Sequence, residues 1–433
     1  MIYKEKRGVD KMIYSLLLLF VIVYPLRSQT NEQPVDTTRR NAIRLFMDCQ
    51  GCDMNYIREE MPYINYVRDV KEAQVYLMIT RQRTGSGGME YTLFYSGQQA
   101  LSGMKDTLTY NASPDDTNDI TRSGLTNTLA LGLMRYVAKT PIKNEVQVRY
   151  TGVPQEEPEQ LADKWDYWVF EISTRPRFDI EKSVESYSLS NYLSADRVTP
   201  DWKIEFGVNH SYSKNIYIRE RFDSLGNPYE TRTDAVRSSW SANNLTVKSL
   251  SEHWSAGFWT GMSSSTYNNI KFKAFFAPAI EYNIFPYEQS NQRQFTFLYG
   301  IGYTYNNYND TTIYNKAYER LFEQSLSVGM RVQQKWGYVN FYAEVSNYLH
   351  DFKKNQVRFD GSINLRIFKG LSLNINGGVA FIHNQIELPK GNISDEDLYL
   401  RLRALETGFR YDGSVGISYT FGSIYNNIVN TRF

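Results

Sequence analysis

From Trp165 to Phe421 apolar and polar residues alternate with a period of two, in runs too long for ordinary globular strands. In one run Phe295, Phe297, Tyr299, Ile301, Tyr303 and Tyr305 are separated by Thr296, Leu298, Gly300, Gly302 and Thr304. A second sets Val357, Phe359, Ile363, Leu365 and Ile367 against Arg358, Asp360, Ser362, Asn364 and Arg366. A third sets Tyr411, Val415, Ile417, Tyr419 and Phe421 against Arg410, Asp412, Ser414, Ser418 and Thr420. Such alternation gives each strand one apolar and one polar face. It predicts an antiparallel sheet of about twelve strands, at 166–175, 186–198, 201–218, 232–247, 253–266, 270–284, 294–306, 318–334, 338–349, 356–368, 371–386 and 407–421.

Two architectures satisfy that pattern, a soluble sandwich or barrel and a transmembrane barrel. Turn spacing favours the second. Connections at 199–200, 248–252, 335–337 and 369–370 are tight, whereas those at 176–185, 219–231, 307–317 and 387–406 are longer. Short turns at one end and long loops at the other fit a membrane barrel. The 285–293 connection is long for its side, and 267–269 short for the opposite one. Aromatics make up 15% of the chain, and Trp202, Trp240, Trp254, Tyr303, Tyr305 and Tyr419 fall near strand ends, where headgroup girdles need half-dry rings.

The segment before the sheet divides further. Met12 to Tyr24 is an apolar run preceded by Lys4, Lys6, Arg7 and Lys11 and followed by Pro25, Arg27, Ser28 and Gln29. It makes about 20 Å of helix against the roughly 30 Å of a bilayer core. A secretory signal over residues 1–28 is expected, with an N-terminal anchor as the alternative. Residues 41–139 read as a small periplasmic α/β domain of order β-α-β-β-α. Its helix after Asp53 ends near Pro62, and a hairpin turns at Thr84-Gly85-Ser86-Gly87-Gly88. A second helix spans Asp119 to Ala138. Residues 140–164 read as a proline-bearing linker, 165–422 as the barrel and 423–433 as a C-terminal tail. Ser394 to Leu405 carries a helix-start signal.

The signal, the aromatic alternating strands, the closing Tyr419-Thr420-Phe421-Gly422 and the terminal Phe433 together resemble Gram-negative outer-membrane β-barrel proteins. In element order alone, the front domain is similar to the N-terminal domain of TolB. The resemblance implies an outer-membrane location with the front domain in the periplasm. Its implied partners are outer-membrane lipid, the barrel-assembly machinery during biogenesis, and a periplasmic or outer-membrane protein. It does not name an activity.

Formal net charge of +1 excludes a basic nucleic-acid binder as the default. Cys49 and Cys52, in C-x-x-C spacing between strand and helix, are candidates for a structural disulfide; labile thiols, a redox pair and a metal site are the alternatives. No cofactor is expected. His210 and His383 fall on the outward register, which raises a barrel-surface lipid hydrolase, although no nucleophile motif accompanies either. The inward register carries Lys203, Arg237, Lys271, Lys273, Arg331, Lys335, Arg358, Arg366 and Arg410, with Glu205, Glu281, Glu323, Glu344, Asp360 and Asp412. Charges in a lumen must be paired or wet. Either a salt-bridge network or a narrow polar pore follows. The leading expectation is a non-enzymatic barrel whose periplasmic domain docks an envelope partner; a channel for small polar solutes is second.

Overall fold

Long alternating strands joined by short connections pair with their sequence neighbours, because local hairpins close at the least entropic cost. The computed structural model describes residues 41–85, 87–147, 163–391, 404–423 and 427. Its larger sheet is a twelve-stranded antiparallel meander, β6 to β17, in which every strand pairs with the next in sequence. The strands are β6 (Trp168–Ile180), β7 (Val184–Val198), β8 (Trp202–Phe222), β9 (Pro228–Ser249), β10 (Trp254–Ser265) and β11 (Ile270–Asn283). They continue with β12 (Arg293–Tyr308), β13 (Tyr318–Gln334), β14 (Gly337–Tyr348), β15 (Asp351–Phe368), β16 (Leu371–Ile382) and β17 (Phe409–Tyr419). Each of the expected strands has its counterpart. The sheet is not closed: β6 and β17 are its two edges.

Two expected long loops are instead strand. β8 and β9 run for 21 and 22 residues to a five-residue turn at 223–227, and β6 continues to Ile180. Arg219, Glu220, Arg221, Glu230 and Arg232 make this extension polar on both faces, which hides it from an alternation test. The 309–317 and 383–408 connections are long. The Ser394 to Leu405 signal falls largely outside the described residues, as do residues 1–28, most of 140–164 and Phe433.

One face of the sheet lines cavities that each reach across five or six strands, so the sheet curves around it. Gln294, Thr296, Arg331, Asn340, Asp360, Ser362, Asn376 and Asp412 lie on this inner face. Phe297, Tyr299, Ile301 and Tyr303 point outward and are exposed. The dry core lies elsewhere, in the α/β region.

That region holds a five-stranded mixed sheet of order β2-β1-β3-β4-β5. Its elements are β1 (Arg44–Cys49), α1 (Met54–Glu60), β2 (Asn65–Tyr66), β3 (Val75–Arg83), β4 (Met89–Gly97), β5 (Lys105–Ala112) and α2 (Asn118–Val137). β1 pairs in parallel with β2 and β3; β3, β4 and β5 are antiparallel. The expected β-α-β-β-α order therefore lacked two edge strands. β2 has two residues, and β5 is polar enough to read as loop. One sheet face, with Leu45, Val75, Leu77, Ile79, Leu93 and Tyr95, packs on Leu125, Leu129, Leu133 and Tyr136 of α2.

Asp53 caps α1: its carboxylate accepts the Tyr56 amide at 3.0 Å and pairs with Arg122 of α2 at 3.1 Å. The Tyr56 hydrogen bond is the largest cause that holds the Asp53 carboxyl below its ordinary value of 3.8. A depressed carboxyl contributes stability above that value and loses it as pH falls through the folded-state value. Asp53→Ala is therefore expected to cost about 1 kcal/mol at neutral pH. In thermal unfolding, the gap between variant and parent should narrow below pH 3.8.

Candidate functional site

The second face of the small sheet is buried or half-buried rather than open. It carries Phe46, Asp48, Tyr76, Thr80 and Thr92, and it sits on the short-turn end of the large sheet. Residues Ala42–Phe433 form one compact body, so this joint is part of its architecture. At its centre Arg366, near the end of β15, donates from Nη1 and Nη2 to Asp48 Oδ2 and Oδ1, at 3.0 and 2.9 Å. Tyr76 Oη donates to Asp48 Oδ2 at 2.8 Å. The guanidinium lies 5.1 Å from the Phe46 ring centroid and donates to the Lys335 carbonyl at 3.1 Å. Lys335 Nζ is 5.4 Å from the Tyr76 ring centroid. Burial pushes the Tyr76 phenol well above its usual range, and the Asp48 carboxylate adds to that shift. Burial pulls the Lys335 ammonium down.

Further ties surround this centre. Lys369 pairs with Glu72 at 2.5 Å, and the Gly370 amide donates to Asp69 Oδ2 at 3.1 Å. Gly370 has φ +76°, and a Cβ there would lie 2.1 Å from the Thr420 carbonyl oxygen, so glycine is required at this turn. On the opposite side Gly85 lets the β3–β4 hairpin reach Val198, where an added Cβ would lie 2.6 Å from the valine Cβ. Arg83 pairs with Glu171 of β6 at 3.5 Å, and Arg68 donates to the Phe421 carbonyl at 3.5 Å. Asn427 accepts the Tyr66 amide at 2.7 Å and donates to Asn65 at 3.0 Å. The small domain thus touches both edges of the open sheet and binds the tail beside β2.

Six of the expected charges form three short-range pairs on the inner face. Lys203 meets Glu205 at 3.0 Å, Arg358 meets Asp360 at 2.5 Å, and Arg410 meets Asp412 at 3.4 Å. Each pair is two residues apart on one strand. Gly378 and Ala380 of β16 stand between the last two pairs in register. A Cβ on Gly378 would be 3.0 Å from Asp360 Oδ1 and 3.2 Å from Asp412 Oδ1, so the small residues leave room for the two carboxylates. Glu344 accepts from Tyr342 and from Ser327, and Glu281 accepts from Tyr287. Arg237 lies 5.5 Å from the Tyr267 ring centroid. Lys271 and Lys273 sit on β11 and Glu323 on β13. Arg366 and Lys335 belong to the domain joint rather than to the open inner face.

Arg331 lines a second feature, a cavity of about 560 Å³ between β3 of the small domain and strands β12 to β16. Gln50, Thr80, Arg81 and Gln82 form its other wall. Sequence reading missed these domain residues and Asp48. Their strand was legible, but their facing partner lies up to 318 residues away.

Cys49 and Cys52 are joined as a disulfide, with Cα atoms 5.8 Å apart. His210 Nδ1 is 3.1 Å from the Asn191 amide nitrogen, and Thr174 Oγ1 donates to the Asn191 oxygen at 2.7 Å. His383 Nδ1 is 3.3 Å from Asn355 Oδ1. Among the described residues neither imidazole touches a hydroxyl, the contact that nucleophile activation requires. No group of three or more metal-ligating side chains occurs among the described residues. The chain matches no known protein-family model and no curated protein.

Replacing Arg366 with Ala leaves Asp48 half-buried without its charge partner, a loss of about 2–3 kcal/mol for charge-assisted hydrogen bonds. Hydrogen exchange of the β1 and β3 amides should accelerate in Arg366→Ala. In the exchanged pair Asp48→Arg with Arg366→Asp, part of the protection should return. The Cys49–Cys52 disulfide closes a short loop, and the double serine variant should lose about 2 kcal/mol in chemical denaturation.

Proposed function

We propose that this chain is an outer-membrane β-barrel protein whose α/β domain is fixed on the periplasmic mouth and docks an envelope partner. The observation that carries the reading is the joint itself: a bidentate, part-buried ion pair holds a separately cored domain across the short-turn end of a twelve-stranded meander. A simple pore has no need of such a domain.

Three features support the membrane part. Twelve is an even number, so β6 and β17 run antiparallel and can pair in the same ladder as the rest. Their unpaired backbone groups are untenable in lipid, where only a closed barrel leaves no edge. Ile172 on β6 and Ile417 on β17 are 83% and 73% exposed, against 38% for Phe297 within the sheet, an exposure that supports pairing of the two edges with each other. The outward rows of Phe, Tyr, Trp and Ile suit acyl chains and headgroups better than water.

For the partner, β5 is an unpaired edge of the small sheet among the described residues, and its side chains alternate between exposed and half-buried. Ile120 and Leu131 of α2 are exposed nearby. An extended peptide adding to that edge is the recognition mode it offers. The polar inner face supports a second reading, a path for small polar solutes that the domain obstructs at one end.

Fractionated cells are expected to hold the protein in the outer membrane, with a gel mobility that changes on boiling. A soluble periplasmic band of unchanged mobility overturns the barrel. Photo-crosslinker placed at Thr107 on β5 should capture a discrete envelope protein, and the same probe at Tyr299 should not. Equal capture from both positions, or none, removes the docking role.

A further inference from the structure

We infer that the cavity between β3 and the inner face of the large sheet is a binding site for a carboxylated sugar of about two units. Its volume of about 560 Å³ falls within the range of small-molecule sites and is far too large for a single inorganic anion. Among the described residues no aspartate, glutamate or lysine lines it. Arg81 enters from the domain wall and Arg331 from β13, and neither makes an ion pair among the described residues. Farther along the inner face Arg358 and Arg410 each pair with a carboxylate two residues away. Two guanidiniums left without carboxylates face an anion of the ligand, and each can hold a carboxylate with two parallel hydrogen bonds.

The neutral part of the lining fixes the rest of the ligand. Gln50, Gln294 and Gln333 side chains make no hydrogen bond among the described residues. Each amide offers donors and an acceptor together, which is the complement of a hydroxyl that also does both. Thr80, only 8% exposed, adds a hydroxyl without a hydrogen-bond partner among the described residues. A buried polar atom left unmatched in an otherwise well-bonded fold calls for an explanation, and a ligand or its bridging water supplies one. The wall is almost devoid of aliphatic side chains, which argues against an acyl chain or an apolar peptide. A small polyol that carries carboxylate groups matches the set.

The inference does not depend on the membrane location, since the cavity belongs to one body whether or not the sheet closes. The test is calorimetric titration of the full chain, purified in detergent, with digalacturonate and separately with maltose. Saturable binding of digalacturonate is expected, with maltose weaker by at least about tenfold. Arg81→Gln and Arg331→Gln should each weaken digalacturonate binding by about tenfold or more, and Arg81→Lys by less. Absence of binding to the parent protein, equal affinity for maltose, or unchanged affinity in Arg331→Gln overturns the proposal. If a variant fails to fold, the contrast between the two sugars on the parent protein still decides. Gel mobility of the same preparation with and without boiling reports separately on the barrel.

Discussion

Every backbone amide and carbonyl in a strand needs a partner, and from β7 to β16 sequence neighbours alone meet that need, while β6 and β17 each have one paired side. The consequence is a surface rather than a core. Twelve strands laid side by side have two faces, and the apolar one has no second layer within the described residues to cover it. In the α/β region the same side-chain chemistry behaves differently: Leu45, Leu77, Leu93, Leu129 and Leu133 are buried almost completely because α2 covers their sheet. Two regions of one chain thus answer the hydrophobic effect in opposite ways. The larger sheet leaves its outward rings exposed, an arrangement that apolar surroundings would favour over water.

The joint between them depends on charge placed where the ladder ends. Arg366 is two residues from the end of β15, so its side chain reaches past the last rung to Asp48. With side chains 30% and 14% exposed, the pair is shielded enough for its geometry to matter. Tyr76 and the Phe46 ring complete the enclosure. Ties to β6, to the β15–β16 turn and to the tail after β17 spread the anchorage over both sheet edges. A domain held this way limits how far those edges can separate.

Much of the large sheet was legible because its signal is redundant. Each strand repeats the same alternation, and tight turns such as Lys369-Gly370 set the register. The failures are physical. Past Tyr217 and before Asp234 polar residues occupy both faces, so extended strand and loop look alike. β5 reads Lys-Asp-Thr-Leu-Thr-Tyr-Asn-Ala, an edge strand with too few apolar positions to signal itself. Arg358, Asp360, Arg410 and Asp412 share one face of the sheet, the arrangement that alternation along a strand implies. Alternation does not give depth along the strand, and depth separates Arg366 in the joint from Arg358 in the open face. Asp48 and Arg81 carried no sequence signal of their role, since their partners come from strands far along the chain.

A formal charge of +1 over the whole chain conceals a local division. Where basic and acidic groups alternate along one strand, as in Arg358–Asp360 and Arg410–Asp412, the field cancels within a few ångströms and the side chains order one another. Glycine and alanine at 378 and 380 keep the two ladders from crowding, so pairing there is a property of side-chain size as much as of charge. Nearer the small domain the inner face changes character. Carboxylates give way to amides, and Arg81 and Arg331 keep their charge unmatched within the lining. Charge is cancelled by pairing in one part of the face, while the part that faces the domain holds two arginines with no carboxylate among the described lining residues. A field held in a walled, partly desolvated space acts more strongly than the same charges in open water. That contrast gives the turn end of the sheet a chemistry that its net charge does not reveal.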